Sequence, residues 1–363
     1  MTDTSNSAST AAYCIVEDAR LDARNTFGVA ATAPILIEVN DSAVLPELFG
    51  GTLLNRRMLR DGPVLVLGGG SNLLFAGDPQ GAVLALTAQR IAIIADDGEA
   101  AIVRADAGVS WHDLVLWTLG QGLCGLENLA LIPGTVGAAP IQNIGAYGVE
   151  VRDSIHAVEA FDRHAGTMVR LGNDACVFAY RDSLFKREPE HHVVTAVEFA
   201  LSRTPALNLE YAGIGDELQA MGIAAPRASQ VAEAVIRIRQ RKLPDPSVLG
   251  NAGSFFKNPI VAADVAEALL AEHPSMPVFR GADAGTRKLS AAWLIDQCGW
   301  KGHRDQNGEG DAGVAESHAL VLVNHGHASG AQLLDLARRI ADSVHTRYGV
   351  QIEPEPRIVG ALW

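Results

Sequence analysis

The uninterrupted apolar run Pro63-Val-Leu-Val-Leu67 predicts a strand, preceded by a helical pattern over residues 43–60 and a turn at Asn25-Thr-Phe-Gly28. It stops at Gly68-Gly-Gly-Ser-Asn-Leu, where successive main-chain N–H groups can face one concave surface. Short β-branched segments at 83–87, 91–95 and 101–105 read as successive antiparallel strands. Ser110 then caps a helix with Trp111, Leu114, Val115 and Leu119 on one face, closed by Gly120 and Gly122, with His112 expected to be exposed. Strand character resumes at 155–161, 168–171 and 193–201, and Tyr180-Arg-Asp-Ser-Leu-Phe-Lys186 sits in the connection before the last of these. Strands, one helix and glycine-rich loops make an α+β domain.

Near Thr204-Pro205 the pattern changes, which marks a domain boundary. Beyond it a helix capped by Ser229 turns Val231, Val235 and Ile238 inward and carries Arg237, Arg239, Arg241 and Lys242 in its last turn. Further helices are expected at 262–272 and 290–298, and a buried strand at 319–323. A long helix then runs from a Ser329 cap through Leu333, Leu336, Ile340 and Val344 to Gly349, and residues 350–359 form a last strand.

The stretch 125–151 repeats on neither period. Gly125, Gly134, Gly137, Gly145 and Gly148 let the chain turn, Pro133 and Pro140 stiffen it, and only Glu127 and Glu150 ionise. So long and apolar a loop needs partners for its backbone polar groups, which favours a segment wrapped around a planar or phosphorylated ligand. The alternative is an irregular core crossover with tight turns.

With 363 residues and 48% apolar content the chain can hold two or three cores, and its formal charge of −13 argues against nucleic acid or an anionic membrane as a partner. Any anionic ligand must then meet a local basic patch. Cys14, Cys124, Cys176 and Cys298 are far apart, without C-x-x-C or a histidine pair beside them, so neither zinc nor a disulfide framework is indicated and a reducing cytoplasm fits. No apolar run approaches the roughly 20 residues that span a bilayer. Asp305-x-Asn307-x-Glu309-Gly310 followed by Glu316 falls one residue short of a calcium-loop pattern, but without flanking helices it reads as solvated surface.

Leu67-Gly-Gly-Gly-Ser-Asn72, the stretch 125–151 and Gly250-Asn-Ala-Gly-Ser-Phe-Phe-Lys-Asn-Pro259 occur in this order with Tyr180-Arg-Asp-Ser183, Lys242-Leu-Pro-Asp-Pro246 and Glu353-Pro-Glu-Pro-Arg357. Together they closely resemble the MurB family of UDP-N-acetylenolpyruvoylglucosamine reductases, from Asn25 to Arg357, and Tyr211 matches the longer, type I branch. The resemblance implies a PCMH/VAO-type FAD-binding domain of two subdomains at 21–205, behind a disordered tail at 1–20. A smaller α+β substrate-binding domain at 206–358 follows, its last strand returning toward the active site. It further implies a cytoplasmic, monomeric enzyme of peptidoglycan precursor synthesis, and so of cell wall biogenesis. FAD would be its cofactor, NADPH its co-substrate and UDP-N-acetylglucosamine enolpyruvate its substrate. Carried over position by position, the catalytic residues are Arg181, Ser254 and Glu355. Flavin contacts fall on Gly68, Gly69, Gly70, Ser71 and Asn72, then on Pro133, Gly134 and Gly137. They continue on Gln142, Asn143, Gly145, Ala146, Tyr147 and Gly148, and on Arg181 itself. Substrate or nucleotide contacts fall on Tyr211, Arg239, Lys242, Asn258 and Gln297, and no metal position is implied. Departures are few: Gly69 stands where an acidic or other residue is common, and Ala138-Ala139 replace residues that are often serine.

In that family hydride passes from NADPH by way of FAD to C3 of the enolpyruvyl ether, and a proton adds at C2. The residue types suit this. An enolate calls for a preorganised cation and hydrogen-bond donor at its carboxylate, and Arg181 is the natural cation. Glu355 can help only in its protonated form, since two carboxylates in contact repel. Ser254, between Gly253 and Phe255-Phe256, has a hydroxyl in an apolar setting that could deliver the proton. The competing readings are an FAD-dependent oxidase of a sugar or hydroxy acid on the same fold, and a nucleotide-sugar binding protein without turnover. Covalent attachment common in such oxidases needs a residue that 63–75, free of His and Cys, does not provide, so the flavin is expected to be non-covalent. Intact Arg181, Ser254 and Glu355 speak against a non-catalytic binder.

Overall fold

The computed structural model describes residues 12–50, 63–211, 213–281, 283–305 and 311–363. Two compact units are formed by the described residues within Met1–Ala19, Ala33–Gly68 and Gln80–Val235, and within Arg20–Thr32, Gly69–Pro79 and Ile236–Trp363.

The first unit contains a four-stranded sheet in the order Tyr13–Arg20, Thr32–Val39, Ala82–Leu86, Val64–Val66. Ala82–Leu86 runs parallel to both of its neighbours. The expectation that residues 83–87 begin an antiparallel series is therefore corrected. Its sequence Ala-Val-Leu-Ala-Leu is buried at its first four positions, and burial on both faces is the mark of a parallel strand rather than of an exposed meander. Ile37, Val39, Val64 and Leu84 pack with Leu45 and Leu48 of the helix Leu45–Gly50 and with Phe161 and Val193 of a second sheet.

That second sheet has five antiparallel strands in the order Thr167–Gly172, Ile155–Asp162, His192–Ser202, Ala100–Asp106, Ile91–Asp96. Its central strand His192–Ser202 buries Val193, Val194, Ala196, Val197 and Phe199, and Trp111 of the helix Trp111–Gly120 meets Phe199 edge-on at 5.9 Å. On the polar face, Arg104 bonds Glu159 at 2.8 Å and Asp106 at 2.7 Å across and along the strands. The side chain of Ser110 accepts from Asp113 N, so this helix starts where its cap predicts.

The second unit is built on the antiparallel sheet Gly250–Ser254, Val321–Asn324, Ala312–Val314, with the helix Gly330–Tyr348 packed on it. Ser329 and Gln332 close that helix with a reciprocal capping box, and Gly349 ends it at φ +67°. A smaller sheet joins Ile260–Ala262, Thr286–Leu289 and Val278–Arg280, and Arg357–Val359 pairs parallel with Leu73–Phe75.

Other differences from the sequence reading have simple causes. Residues 13–20, assigned to a tail, form an edge strand. Only Ser42–Val44 and Leu45–Gly50 of the 43–60 pattern are helical among the described residues, and 51–62 lie outside them. Ser229 sits inside the helix Ala228–Lys242, where Gln230 Oε1 instead accepts from Arg227 N at 2.9 Å. Residues 350–356 do not extend the last strand because Pro354 and Pro356 have no N–H to give. The calcium-like pattern commits its first carboxylate elsewhere: Arg339 makes two 2.8 Å bonds to Asp305, and Arg304 bonds Asp311 at 2.7 Å. No helix among the described residues is long and apolar enough to cross a membrane.

One packing contact of the second unit is tight enough to test. A Cβ on Gly330 would fall 1.7 Å from the carbonyl oxygen of Phe75, a backbone atom that cannot swing away. Gly330→Ala should cost about 1–3 kcal/mol as an overpacking change and lower the melting temperature by several degrees. A variant melting with the parent in differential scanning calorimetry would show that the helix is not seated this closely.

Candidate active site

The stretch 125–151 is fastened to the strand-to-helix junction of the first unit by main-chain bonds. Trp111 N donates to Gly134 O at 3.0 Å, Val136 N to Val109 O at 2.9 Å and Gly137 N to Ala107 O at 3.0 Å. Gly137 is required by proximity, since a Cβ there would lie 2.6 Å from that of Ala107. Trp111 Nε1 donates to Leu129 O at 2.8 Å, and His112 Nδ1 accepts from Leu131 N at 3.1 Å. His112, expected on an exposed face, is thus half-buried and holds a loop residue that has a left-handed backbone, φ +59°.

Asn143 is fully buried and joins this stretch to the loop that carries Arg181. Its Nδ2 donates to Glu150 Oε2 at 2.9 Å and to Ala179 O at 3.0 Å, while its Oδ1 accepts from Arg152 N at 3.1 Å. Ser183 Oγ adds a 2.6 Å bond to Ile141 O. Arg181 reaches back across the seam, with Nη2 donating to Gly145 O at 2.7 Å and Nη1 to Asn143 O at 3.4 Å, and Lys186 Nζ donates to the Arg181 carbonyl at 2.9 Å. Asn143, Tyr147 and Arg181 all have left-handed backbones, at φ +47°, +51° and +53°. Each costs about 1–2 kcal/mol in a residue with a side chain, and such strain gathers where function over-determines the backbone.

Tyr211 belongs to the same assembly. Asn128 Nδ2 donates to Tyr147 O at 3.0 Å and to Asn208 O at 2.9 Å, and Asn208 Nδ2 to Gly148 O at 3.2 Å. The Tyr147 and Tyr211 rings then meet edge-on at 5.1 Å.

In the second unit three segments are laced together. Phe255 N donates to Leu320 O at 2.7 Å, Glu355 N to Phe255 O at 2.7 Å and Arg357 N to Asn72 O at 3.1 Å. Ser254, Glu355 and the loop Gly69–Asn72 therefore share one hydrogen-bonded framework. Gly70 has φ +62°, and a Cβ there would lie 2.1 Å from Arg24 O, so only glycine fits. Arg239 and Lys242 stand in the last turn of the helix Ala228–Lys242. Asn258 and Gln297 mark opposite ends of the helix Ala291–Gln297, about 10 Å of helix apart. Asn258 Oδ1 accepts from Ala291 N at 3.0 Å, and the Gln297 carbonyl accepts from Arg347.

His318 is a neighbour that the sequence did not single out, because a lone histidine has no pattern. Its Nδ1 accepts from Leu320 N at 3.2 Å, and burial first, then Lys242 and Lys301, hold it below the usual histidine range. A separate cleft of about 480 Å³ in this unit is lined by residues such as Thr26, Phe27, Asp245 and Asn324, and by none of the predicted site residues.

Gly68 and Gly69 are exposed and carry no side chain, and Gly137 is held too close to Ala107 for one, so each loop offers bare main chain of the kind a pyrophosphate and a flat ring system require. The residues present fit FAD. Residues 57–172 match the FAD binding domain family, and residues 245–359 match the C-terminal domain of UDP-N-acetylenolpyruvoylglucosamine reductase. The UDP-N-acetylenolpyruvoylglucosamine reductase of Xanthomonas oryzae pv. oryzae (strain KACC10331 / KXO85) is 60% identical over 96% of this chain and 99% of its own. That of Xanthomonas campestris pv. campestris (strain 8004) is 56% identical over 99% and 100%. The crystal structure of UDP-N-acetylenolpyruvylglucosamine reductase from Thermus caldophilus superposes with a TM-score of 0.64 at 26% identity, over 95% of this chain and 98% of that one. Fold and loops define an FAD-dependent oxidoreductase of mixed α+β architecture with an FAD binding domain. The chain belongs to the UDP-N-acetylenolpyruvoylglucosamine reductase family.

Asn143→Ala would strip three hydrogen bonds from the seam that holds Arg181. The expected result is a loss of roughly 2 kcal/mol or more in stability together with weaker FAD retention, read by thermal melting and by release of flavin fluorescence. A variant that melts and keeps its flavin like the parent would remove Asn143 from this role.

Proposed function

We propose that the protein reduces UDP-N-acetylglucosamine enolpyruvate to UDP-N-acetylmuramate with NADPH, as a step of peptidoglycan precursor synthesis. Relatives bearing the reductase name over nearly their whole length support the reaction class. The observation that carries the site assignment is the bonding of Glu355 N to Phe255 O and of Arg357 N to Asn72 O, which joins the serine, the glutamate and the glycine loop in one unit.

When bound, FAD supplies the hydride chemistry, taking two electrons from the nicotinamide and returning them at C3 of the enolpyruvyl double bond. The main chain of Gly68 to Asn72 and of Pro133, Gly134, Gly137, Gln142, Ala146 and Gly148 would hold it, in the division of labour that gives 21–205 to the flavin and 206–358 to the substrate. Arg181 opposes the charge that develops on the substrate carboxylate, and Glu355 stands at the same group. Ser254 Oγ gives its proton to C2 of the enolate and regains one from Lys242 or water. A serine hydroxyl is a weak acid, so position and the basicity of the carbanionic carbon must drive that transfer. Tyr211, Arg239, Asn258 and Gln297 bind the UDP-sugar and, in its turn, the nicotinamide nucleotide.

Ser254→Ala should leave flavin reduction by NADPH near the parent rate while reoxidation by the enolpyruvyl substrate slows by about 10²-fold or more, as losses of general acid catalysis do. Stopped-flow absorbance separates the two half-reactions. Equal slowing of both would make Ser254 a shaping residue, and slowing of neither would exclude it.

Because both substrates must approach the same flavin face, excess enolpyruvyl substrate should inhibit competitively with NADPH. Steady-state patterns that require a ternary complex would overturn the shared pocket.

A further inference from the structure

Asp162 ends one strand of the five-stranded sheet and His192 begins the next, and the two are registered opposite each other. His191 precedes His192 and stacks on it, with ring centroids 4.1 Å apart and planes 21° from parallel. His191 Nε2 lies 3.3 Å from Asp162 Oδ1, and one donor atom from each of the three residues lies within 4.8 Å of the others. None of the three is among the residues assigned above to flavin or substrate.

Two further features suit a ligand. Glu188 Oε2 lies 2.8 Å from His191 Nδ1, so the carboxylate holds the proton on Nδ1 and leaves the Nε2 lone pair toward Asp162. A carboxylate behind a histidine in this way is how metal-bound imidazoles are oriented. His192 Nδ1 is buried without a hydrogen-bond partner, a costly state for a polar atom, with Phe185 edge-on to the ring at 5.8 Å. The Asp162 carboxylate is itself fixed, its Oδ1 accepting from His164 N and Ala165 N at 2.8 Å each.

We propose that Asp162, His191 and His192 form a site for a divalent transition-metal ion, with Zn²⁺ the best match. Two imidazoles and one carboxylate suit zinc, with water as a fourth ligand, whereas magnesium and calcium call for six or more oxygens. Zinc–ligand bonds near 2.1 Å put tetrahedral ligand atoms about 3.4 Å apart, so the set closes by side-chain shifts on the order of 1 Å together with rotation of the stacked rings that brings both in-plane lone pairs onto the ion. The bound ion would clamp the turn after Asp162 to the start of the central strand.

The test uses the full-length, FAD-loaded protein, stripped with chelator and titrated with ZnCl₂ by calorimetry near neutral pH. One equivalent should bind with micromolar affinity, His192→Asn and Asp162→Asn should each abolish that site, and Glu188→Gln should weaken it by roughly 10-fold. The flavin absorption spectrum reports whether each variant is folded. Zinc-edge X-ray absorption of the parent, which needs no variant, should show a nitrogen and oxygen shell containing two imidazoles. Absence of saturable uptake, uptake undiminished in both variants, or a shell with sulfur or without imidazole would each overturn the site.

Discussion

An irregular apolar stretch can be buried only if its peptide groups are hydrogen-bonded, and here a few side chains meet that demand where no sheet can. Trp111, His112, Asn128, Asn143 and Ser183 each bond to main chain of the first unit's loops, and both asparagines tie two segments at once. The left-handed backbones of Leu131, Asn143, Tyr147 and Arg181 persist because these bonds offset their strain. Removing one amide therefore disturbs several loop positions together, since each asparagine holds two segments at once.

The second unit meets the same demand with fewer donors. In Pro354-Glu-Pro-Arg357 the prolines remove every other N–H, leaving those of Glu355 and Arg357. Both are used, and on different partners: one goes to Phe255, beside Ser254, and the other to Asn72, at the end of the glycine loop. An ordinary strand here would pair with one neighbour along its length. The proline alternation makes the segment a tie between two.

Much of this was legible in the sequence where a single residue type decides the outcome. Ser110 and Ser329 cap the helices they were expected to cap, and the strand at Val64–Val66 ends at the glycines. Partner choice was not legible, because an apolar run announces burial without saying against what. Ala82–Leu86 looked like the first strand of a meander and lies parallel in another sheet, and the edge strand Tyr13–Arg20 alternates too weakly to be read. Arg181, Ser254 and Glu355 were singled out through resemblance, not through pattern. The residues that fasten the first unit's loops, Asn128, Asn143 and His112, carry no period at all, and their bonding roles follow only from which carbonyls and amides the fold leaves to be satisfied.

Charge explains why the loops are built of main chain. At a formal −13 the protein repels nucleotides at long range, and several of its arginines are spent on its own carboxylates: Arg104 on Glu159, Arg170 on Glu198, Arg203 on Asp96, Arg304 on Asp311 and Arg339 on Asp305. Such pairs project little field beyond a Debye length of about 10 Å at 0.1 M salt. A dinucleotide cofactor must therefore be held at contact range. Peptide N–H groups suit that task because their dipoles are fixed by the fold and cannot be captured by a neighbouring aspartate, as a flexible lysine can. Glycine at 68, 70 and 137 is the condition for it: any side chain there would collide with Thr135, Arg24 or Ala107 before the backbone could close up.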